Sequence, residues 1–184
     1  MTTDEQLAEA AKCGSTAAFD ELVGRYQARL LRFLLGRCNS RADAEDAIQD
    51  TFVNAYRYLQ SYDPRWRFST WLYRIALRNA SRQSLHPVAV AVEPEDHADP
   101  LASCIALSER QNLWVVAKRQ LAADAYSALW LRYAEDLPLA DVARALDRSL
   151  AWTKVSLMRS RRRLAAALRQ QPTIAERNEM YDKV

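Results

Sequence analysis

Glycine is nearly missing from this sequence: Gly14, Gly24 and Gly36 are the only three in 184 residues, against an average usage of about 7%. A dinucleotide-binding fingerprint or a phosphate-cradling P-loop needs several glycines in one tight turn. Neither can be built here, and hairpin-rich β architectures, which lean on glycine turns, are disfavoured. The cysteines are few and odd in number, Cys13, Cys38 and Cys104, with no CxxC pair. That pattern fits buried, inert thiols in a reducing, cytoplasmic setting. No signal peptide and no 18-residue apolar run appears. The two histidines, His86 and His97, stand with no nucleophile and acid beside them, so no catalytic residue, metal site or cofactor site is expected, and no enzyme. The length disfavours a large (β/α)8 barrel.

Alanine, leucine and arginine dominate instead, and they favour helix. Asp4–Lys12 reads as a short opening helix. Ser15 or Thr16 can cap a longer one, in which Phe19, Leu22, Val23, Tyr26, Leu30, Phe33 and Leu34 recur at steps of three and four as a core stripe. Asn39–Ser40 breaks it, a third helix follows over residues 41–59, and an Asp-Pro turn precedes a fourth that begins near Ser69 or Thr70. Between Ser84 and Pro100 lie three prolines, four acids and no basic residue, the composition of a flexible linker. Beyond it, helices are expected at Ile105–Gln120 and Ala123–Tyr133. Pro138 then opens a short helix, and after Asp147–Ser149 a long basic one begins. The last two, joined by a three- or four-residue turn, match a helix-turn-helix; with no glycine in that turn, Asp147 must serve. The expected fold is therefore all-α: residues 1–83 and 105–171 form two small helical domains, 84–104 the linker, and 172–184 a loosely docked tail.

The net charge of +3 averages unlike patches. Residues 148–169 carry seven basic groups and no acid; such a run is either a solvated face or a footprint for a polyanion. On the third helix Ile48, Phe52 and Tyr56, with Leu59, are expected to face the core, and Asp43, Asp46 and Asp50 gather opposite. The helix dipole accounts for Asp43. Asp50 lies two turns inside, where the stripe suits a basic protein partner, with a Mg²⁺ site the weaker rival. On the fourth helix Arg74, Arg78 and Arg82 share a flank with Trp71, while Phe68, Leu72 and Ile75 turn to the core. Tyr62, Arg65, Trp66, Arg67 and Phe68 precede it. Arginine interleaved with aromatics suits single-stranded nucleic acid, because guanidinium pairs with phosphate and a ring stacks on an unpaired base. For Trp71, bracing the helices is an equal reading; for Trp66, between charges on a loop, contact with nucleic acid is favoured. In the last helix Leu150, Leu157, Leu164 and Leu168 are expected to form the buried stripe. Arg159, Arg162 and Arg163, with Trp152 and Val155, face the other way and fit a major groove. Lys154 and Arg161 flank the stripe.

At these residues the chain resembles the extracytoplasmic-function sigma factors, the smallest class of the sigma-70 family. AFDELVGRYQARLLRFL, DAEDAIQDTFVNAYRYL and RFSTWLYRIALRNASR are similar, in order and spacing, to the family's promoter-melting domain. LPLADVARALDRSLAWTKVSLMRSRRRL resembles its promoter-reading domain, although Ala151, Trp152 and Ser156 stand where the family usually has glycine, threonine and arginine. The resemblance implies an alternative sigma factor that binds core RNA polymerase and directs promoter recognition and melting. Asp43, Asp46, Gln49 and Asp50 would meet the clamp helices of the largest subunit, and the second domain the flap of the second-largest. Tyr62, Arg65, Trp66, Arg67, Phe68, Trp71, Arg74, Arg78 and Asn79 would hold the −10 element. Arg148, Trp152, Lys154, Val155, Arg159, Arg162 and Arg163 would read the −35 element. An anti-sigma partner, often membrane-bound, is implied, and it would hold a cytoplasmic protein at the inner membrane face; no small-molecule substrate is. A helix-turn-helix regulator using the basic helix alone, or a sigma-like adaptor that does not start transcription, are the alternatives.

Overall fold

Residues 2–83 and 113–169 are described by the computed structural model, and their regular structure is helical. The linker expected at 84–104, the start of the helix expected at Ile105, Cys104, the Arg82 side chain and the tail expected at 172–184 lie outside the described residues.

In the first group of helices, each begins where a side chain can satisfy free N–H groups. Thr3 and Gln6 form a capping box at α1 (Asp4–Lys12). Gly14, with φ +99°, makes the left-handed turn that ends it, and Ser15 caps α2 (Thr16–Arg37). Ser40 and Asp43 form a second capping box at α3 (Arg41–Arg57), which runs into a short 3₁₀ turn at Leu59–Ser61. The N-terminus of α4 (Phe68–Gln83) is met from α1, where the Glu5 carboxylate accepts the Phe68 N–H at 3.2 Å.

The second group comprises α5, described over residues 113–120, then α6 (Ala123–Tyr133), α7 (Leu139–Ala145) and α8 (Leu150–Arg169). Pro138 precedes α7, where its fixed φ suits a helix start. Asp147 takes φ 55° between α7 and α8, the left-handed role that glycine often fills and aspartate tolerates. The Ser149 hydroxyl then accepts the Trp152 N–H at 3.1 Å and starts α8.

Two expected stripes are rotated. On α3 the buried line is Ala44, Ala47, Ile48, Thr51 and Ala55. Phe52 is only half-buried and Tyr56 is 56% exposed. The small residues let α3 lie close on α4, itself lined by Ala76 and Ala80, and large rings are left at the edge of so tight a seam. On α8 the buried line is Thr153, Leu157, Ser160 and Leu164, while Leu150 and Leu168 at its ends are exposed. Thr153 and Ser160 go inside because they are small and, for Thr153, because its hydroxyl donates to the Ser149 carbonyl at 3.1 Å.

The two helical domains share one continuous core. Phe33 of α2 stands at its centre, edge-on to Tyr73 of α4 at 5.2 Å and against Tyr126 and Trp130 of α6 at 6.5 and 6.1 Å. Trp114 of α5 completes the aromatic cluster, 4.5 Å from Trp130. Glu135, buried after α6, pairs with Arg29 of α2 and accepts from the Trp130 indole at 3.3 Å.

Candidate nucleic-acid and polymerase interface

The acidic face of α3 divides by role. Asp43 is committed to the helix start, its carboxylate accepting the Ser40 N–H at 3.2 Å. Asp46, Gln49 and Asp50 are exposed, with Val53 and Tyr56 continuing the same open face. Asp46 and Asp50 have no ion-pair partner among the described residues, whereas the adjacent Glu45 is held by Arg41 at 2.8 Å. Among these residues no group of acids, histidines or cysteines is arranged to hold a metal ion.

The residues expected at the −10 element form a surface with a buried foundation. Tyr62 and Phe68 lie inside, their rings 5.5 Å apart, and Trp71 leans half-buried on both at 5.5 and 5.6 Å. The Tyr62 hydroxyl donates to the Trp66 carbonyl at 2.6 Å, and Lys12 of α1 donates to the Tyr62 carbonyl at 2.9 Å. Burial pushes the Tyr62 hydroxyl well above its ordinary titration range, with Glu5 and Glu9 adding to the effect. Asn79 is buried too, accepting from Asn54 at 3.2 Å and donating to Thr51 at 3.3 Å. Tyr62, Phe68 and Asn79 therefore shape and support this surface rather than face solvent.

What they support is Trp66, 42% exposed at the loop tip, with Arg65 and Arg67 on either side. Arg65 folds back on Asp63, with nitrogens 2.6–3.0 Å from the carboxylate, and these bonds hold the Asp63 carboxyl down at about 2. Beside the loop is a cavity of about 200 Å³ lined by Trp66, Trp71, Tyr62, Thr70, Arg74 and Arg144. The Thr70 hydroxyl there is buried without a hydrogen-bond partner. Arg78 is exposed on the next turn.

The residues expected at the −35 element divide similarly. Lys154, Val155, Arg159, Arg162 and Arg163 are exposed on α8, joined by Arg161 and Met158. None of these basic groups has an ion-pair partner among the described residues. Trp152 is half-buried on the core with Arg148 5.5 Å over its ring, and Arg148 is tied to Asp124 of α6 at 2.7 Å. Arg144, Asp141 and Asp147, which meet Trp66, Arg67 and Arg74, were missed by sequence reasoning. They are single charges on or just after a short helix whose periodicity says nothing of the distant loop that they meet.

No helix of the described residues is long and apolar enough to cross a membrane. Residues 22–84 match the model of sigma-70 region 2. The fold is similar to that of CnrH in complex with the cytosolic domain of CnrY, at TM-score 0.70 and 23% identity over 92% of this chain and 99% of that one. It is also similar to the sigma factor RpoE of Bartonella quintana bound to the anti-sigma factor NepR, at 0.66 and 20% over 84% and 98%. In sequence the chain is 30% identical to the RNA polymerase sigma-H factor of Pseudomonas aeruginosa over 94% of this chain and 96% of that protein. It is likewise 30% identical to the ECF RNA polymerase sigma-E factor of Haemophilus influenzae, over 86% of this chain and 92% of that protein. Near-complete coverage at this identity, joined to two helical domains with an acidic face, an arginine–tryptophan loop and a basic last helix, places the chain among the ECF sigma factors, transcription-initiation factors of the sigma-70 family.

Proposed function

We propose that the chain contacts core RNA polymerase and promoter DNA through three separate faces. Asp46, Gln49 and Asp50 dock on a basic surface of the polymerase, the clamp helices of its largest subunit, with Asp43 holding the start of α3. The second domain, residues 105–171, docks on the flap of the second-largest subunit. Trp66 and the cavity beside it capture an unpaired base of the −10 element. Arg65, Arg67, Arg74 and Arg78 hold the flanking phosphates, over a foundation of Tyr62, Phe68, Trp71 and Asn79. The exposed side of α8 enters the major groove of the −35 element, with Arg148 and Trp152 at its leading end. An anti-sigma factor covering these faces would switch the chain off, as the complex of the Bartonella protein suggests by its partner.

The observation that carries this reading is the segregation of charge onto exposed faces, above all Asp46 and Asp50 on α3, which have no ion-pair partner among the described residues. The chain needs no reacting group for this work. It supplies binding energy and a trap for an unstacked base; extruding a base costs a few kcal/mol, which pocket contacts offset.

The deciding experiment adds the purified chain to core polymerase and measures run-off transcription from promoters with AT-rich −10 elements. Specific transcripts are expected, and Asp46→Arg with Asp50→Arg should abolish core binding while leaving helicity intact. Unchanged core affinity in that variant would refute the α3 assignment; core binding without open-complex formation would favour the adaptor.

A further inference from the structure

Arg74 lines two cavities. One is the small cavity beside Trp66. The other, of about 680 Å³, lies where the end of α2, the end of α3 and α4 meet the turn between α7 and α8. Its lining holds four arginines, Arg37, Arg74, Arg78 and Arg148, against two carboxylates, Asp124 and Asp147. A concave site with an excess of positive charge concentrates anions.

The two carboxylates leave the arginines under-satisfied. Asp124 is close only to Arg148, at 2.7 Å, and stands 3.5 Å from Arg37. Asp147 stands 3.6 Å from Arg74. A well-made guanidinium–carboxylate bond is about 2.7–2.9 Å long. The Nε atoms of Arg37 and Arg74 are buried with no hydrogen-bond partner among the described residues. Arg37 is the more telling of the two, because its side chain is only 12% exposed and a cation so far out of water needs close acceptors. Its other contact is the Ser81 hydroxyl, also at 3.5 Å. Arg78 is exposed, with no ion-pair partner among the described residues.

The rest of the lining is mixed. Ile75, Ala145 and Leu146 supply apolar surface, and Tyr58 adds a ring that is 54% exposed. The volume exceeds what a single phosphate fills and falls within the range of small-molecule sites, about 300–1,000 Å³. Size, surplus positive charge and an open aromatic ring together describe a ligand with several negative charges at one end and a flat, partly apolar group at the other.

We propose that this cavity binds a nucleoside polyphosphate, with its phosphates on Arg37, Arg74, Arg78 and Arg148 and its base against Tyr58, Ile75 and Leu146. Guanidinium groups meet adjoining phosphate oxygens through paired N–H···O bonds, and an aromatic ring accepts any base by its face. Asp124 competes with the phosphates for Arg37 and Arg148, and Asp147 competes for Arg74, so the carboxylates tune the affinity. The site does not depend on the assignment of Trp66 or α8 to promoter DNA. A DNA strand reaching Arg74 and Arg78 from solvent would not need the deeply placed Arg37, and a small ligand inside the cavity would.

The test is isothermal titration calorimetry of the full-length chain with ATP, GTP and inorganic tripolyphosphate at fixed salt. Thermal melting follows the same additions, since a ligand that binds only the folded chain raises its melting temperature. One nucleotide should bind per chain, and tripolyphosphate should bind at least about 5-fold more weakly, the lower end of what stacking one base contributes. Arg37→Gln should weaken nucleotide binding at least about 10-fold, as expected for losing a hydrogen bond from a charged group. Asp124→Asn should strengthen it about 3-fold by removing a partly exposed competitor, a gain that damage to the fold does not imitate. Alanine at Arg159, Arg162 and Arg163 together should leave it unchanged. Absence of binding by all three probes would overturn the proposal. Tripolyphosphate binding as tightly as the nucleotides would overturn the place given to the base. Full binding by Arg37→Gln, or loss of binding in the α8 variant, would reduce the effect to anions adsorbed on a basic surface. Circular dichroism checks folding; where Arg37→Gln is unfolded, Asp124→Asn decides, and an unchanged or weaker affinity there would overturn the site.

Discussion

The two basic surfaces of this chain differ in what answers their charge. Around Trp66 nearly every arginine meets an internal acid: Arg65 with Asp63, Arg67 with Asp141, Arg74 with Asp147. On α8, Lys154, Arg159, Arg161, Arg162 and Arg163 meet none among the described residues. The first surface gains rigidity and must exchange old partners for new ones; the second is free to act at long range but is screened by salt. The same residue type is thus held by internal carboxylates in one place and left without an ion-pair partner among the described residues in the other.

The contrast is broken most strongly on the open side. Replacing Arg159, Arg162 and Arg163 together with alanine should lower affinity for duplex DNA about 100-fold and reduce the slope of log affinity against log salt by about 3, near 1 for each phosphate left without its arginine. A slope that does not change would show that α8 touches no phosphates.

A second effect is expected at the seam between the domains. Glu135→Gln leaves Arg29 opposite an uncharged group; because Arg29 is 40% exposed, the cost should be about 2 kcal/mol, below the usual range for breaking a buried pair. Urea unfolding measures it, and an unchanged midpoint would mean the pair contributes nothing net. Asp63→Asn should act more weakly and in the opposite sense on binding. It frees exposed Arg65 and should raise affinity for the single strand about 3-fold, in keeping with an exposed ion pair; a loss would mean that Asp63 positions Arg65 rather than competing for it.

The smallest effect concerns Cys38. Burial pushes its thiol from 9.0 up to about 11, with the nearby Asp43 carboxylate adding to the shift. Iodoacetamide at pH 8 should label exposed Cys13 and spare Cys38, which peptide mass spectrometry reads directly. The stability that goes with the protonated Cys38 is complete below pH 9 and is lost as the pH rises toward 11, because the unfolded thiol ionises first.

Helix positions were legible because capping and periodicity are local. Asp4–Lys12 and Ala123–Tyr133 coincide with the spans read from the chain, and the glycine-free turn does rely on Asp147. The stripes of α3 and α8 were misread for one reason: large apolar residues were assumed to go inside. Between close-packed helices Ala47 and Ser160 fit where Tyr56 and Leu168 do not. Around Trp66 the interleaved arginines and rings were legible as residue types, but not which of them lie beneath the surface. Tyr62, Phe68 and Asn79 carry the same chemistry buried or exposed, and only their neighbours decide.

Amino-acid sequence alone determined an all-helical chain with few glycines, two helical segments and separate acidic and basic faces, because helix propensity, capping and amphipathic spacing act within a few residues. Tertiary structure alone decided that Phe33 joins the two domains in one core, that Gly36 lets Tyr126 approach, and that α7 covers Trp66. Those pairings join residues far apart along the chain, and a stripe records that a face is buried without recording against what.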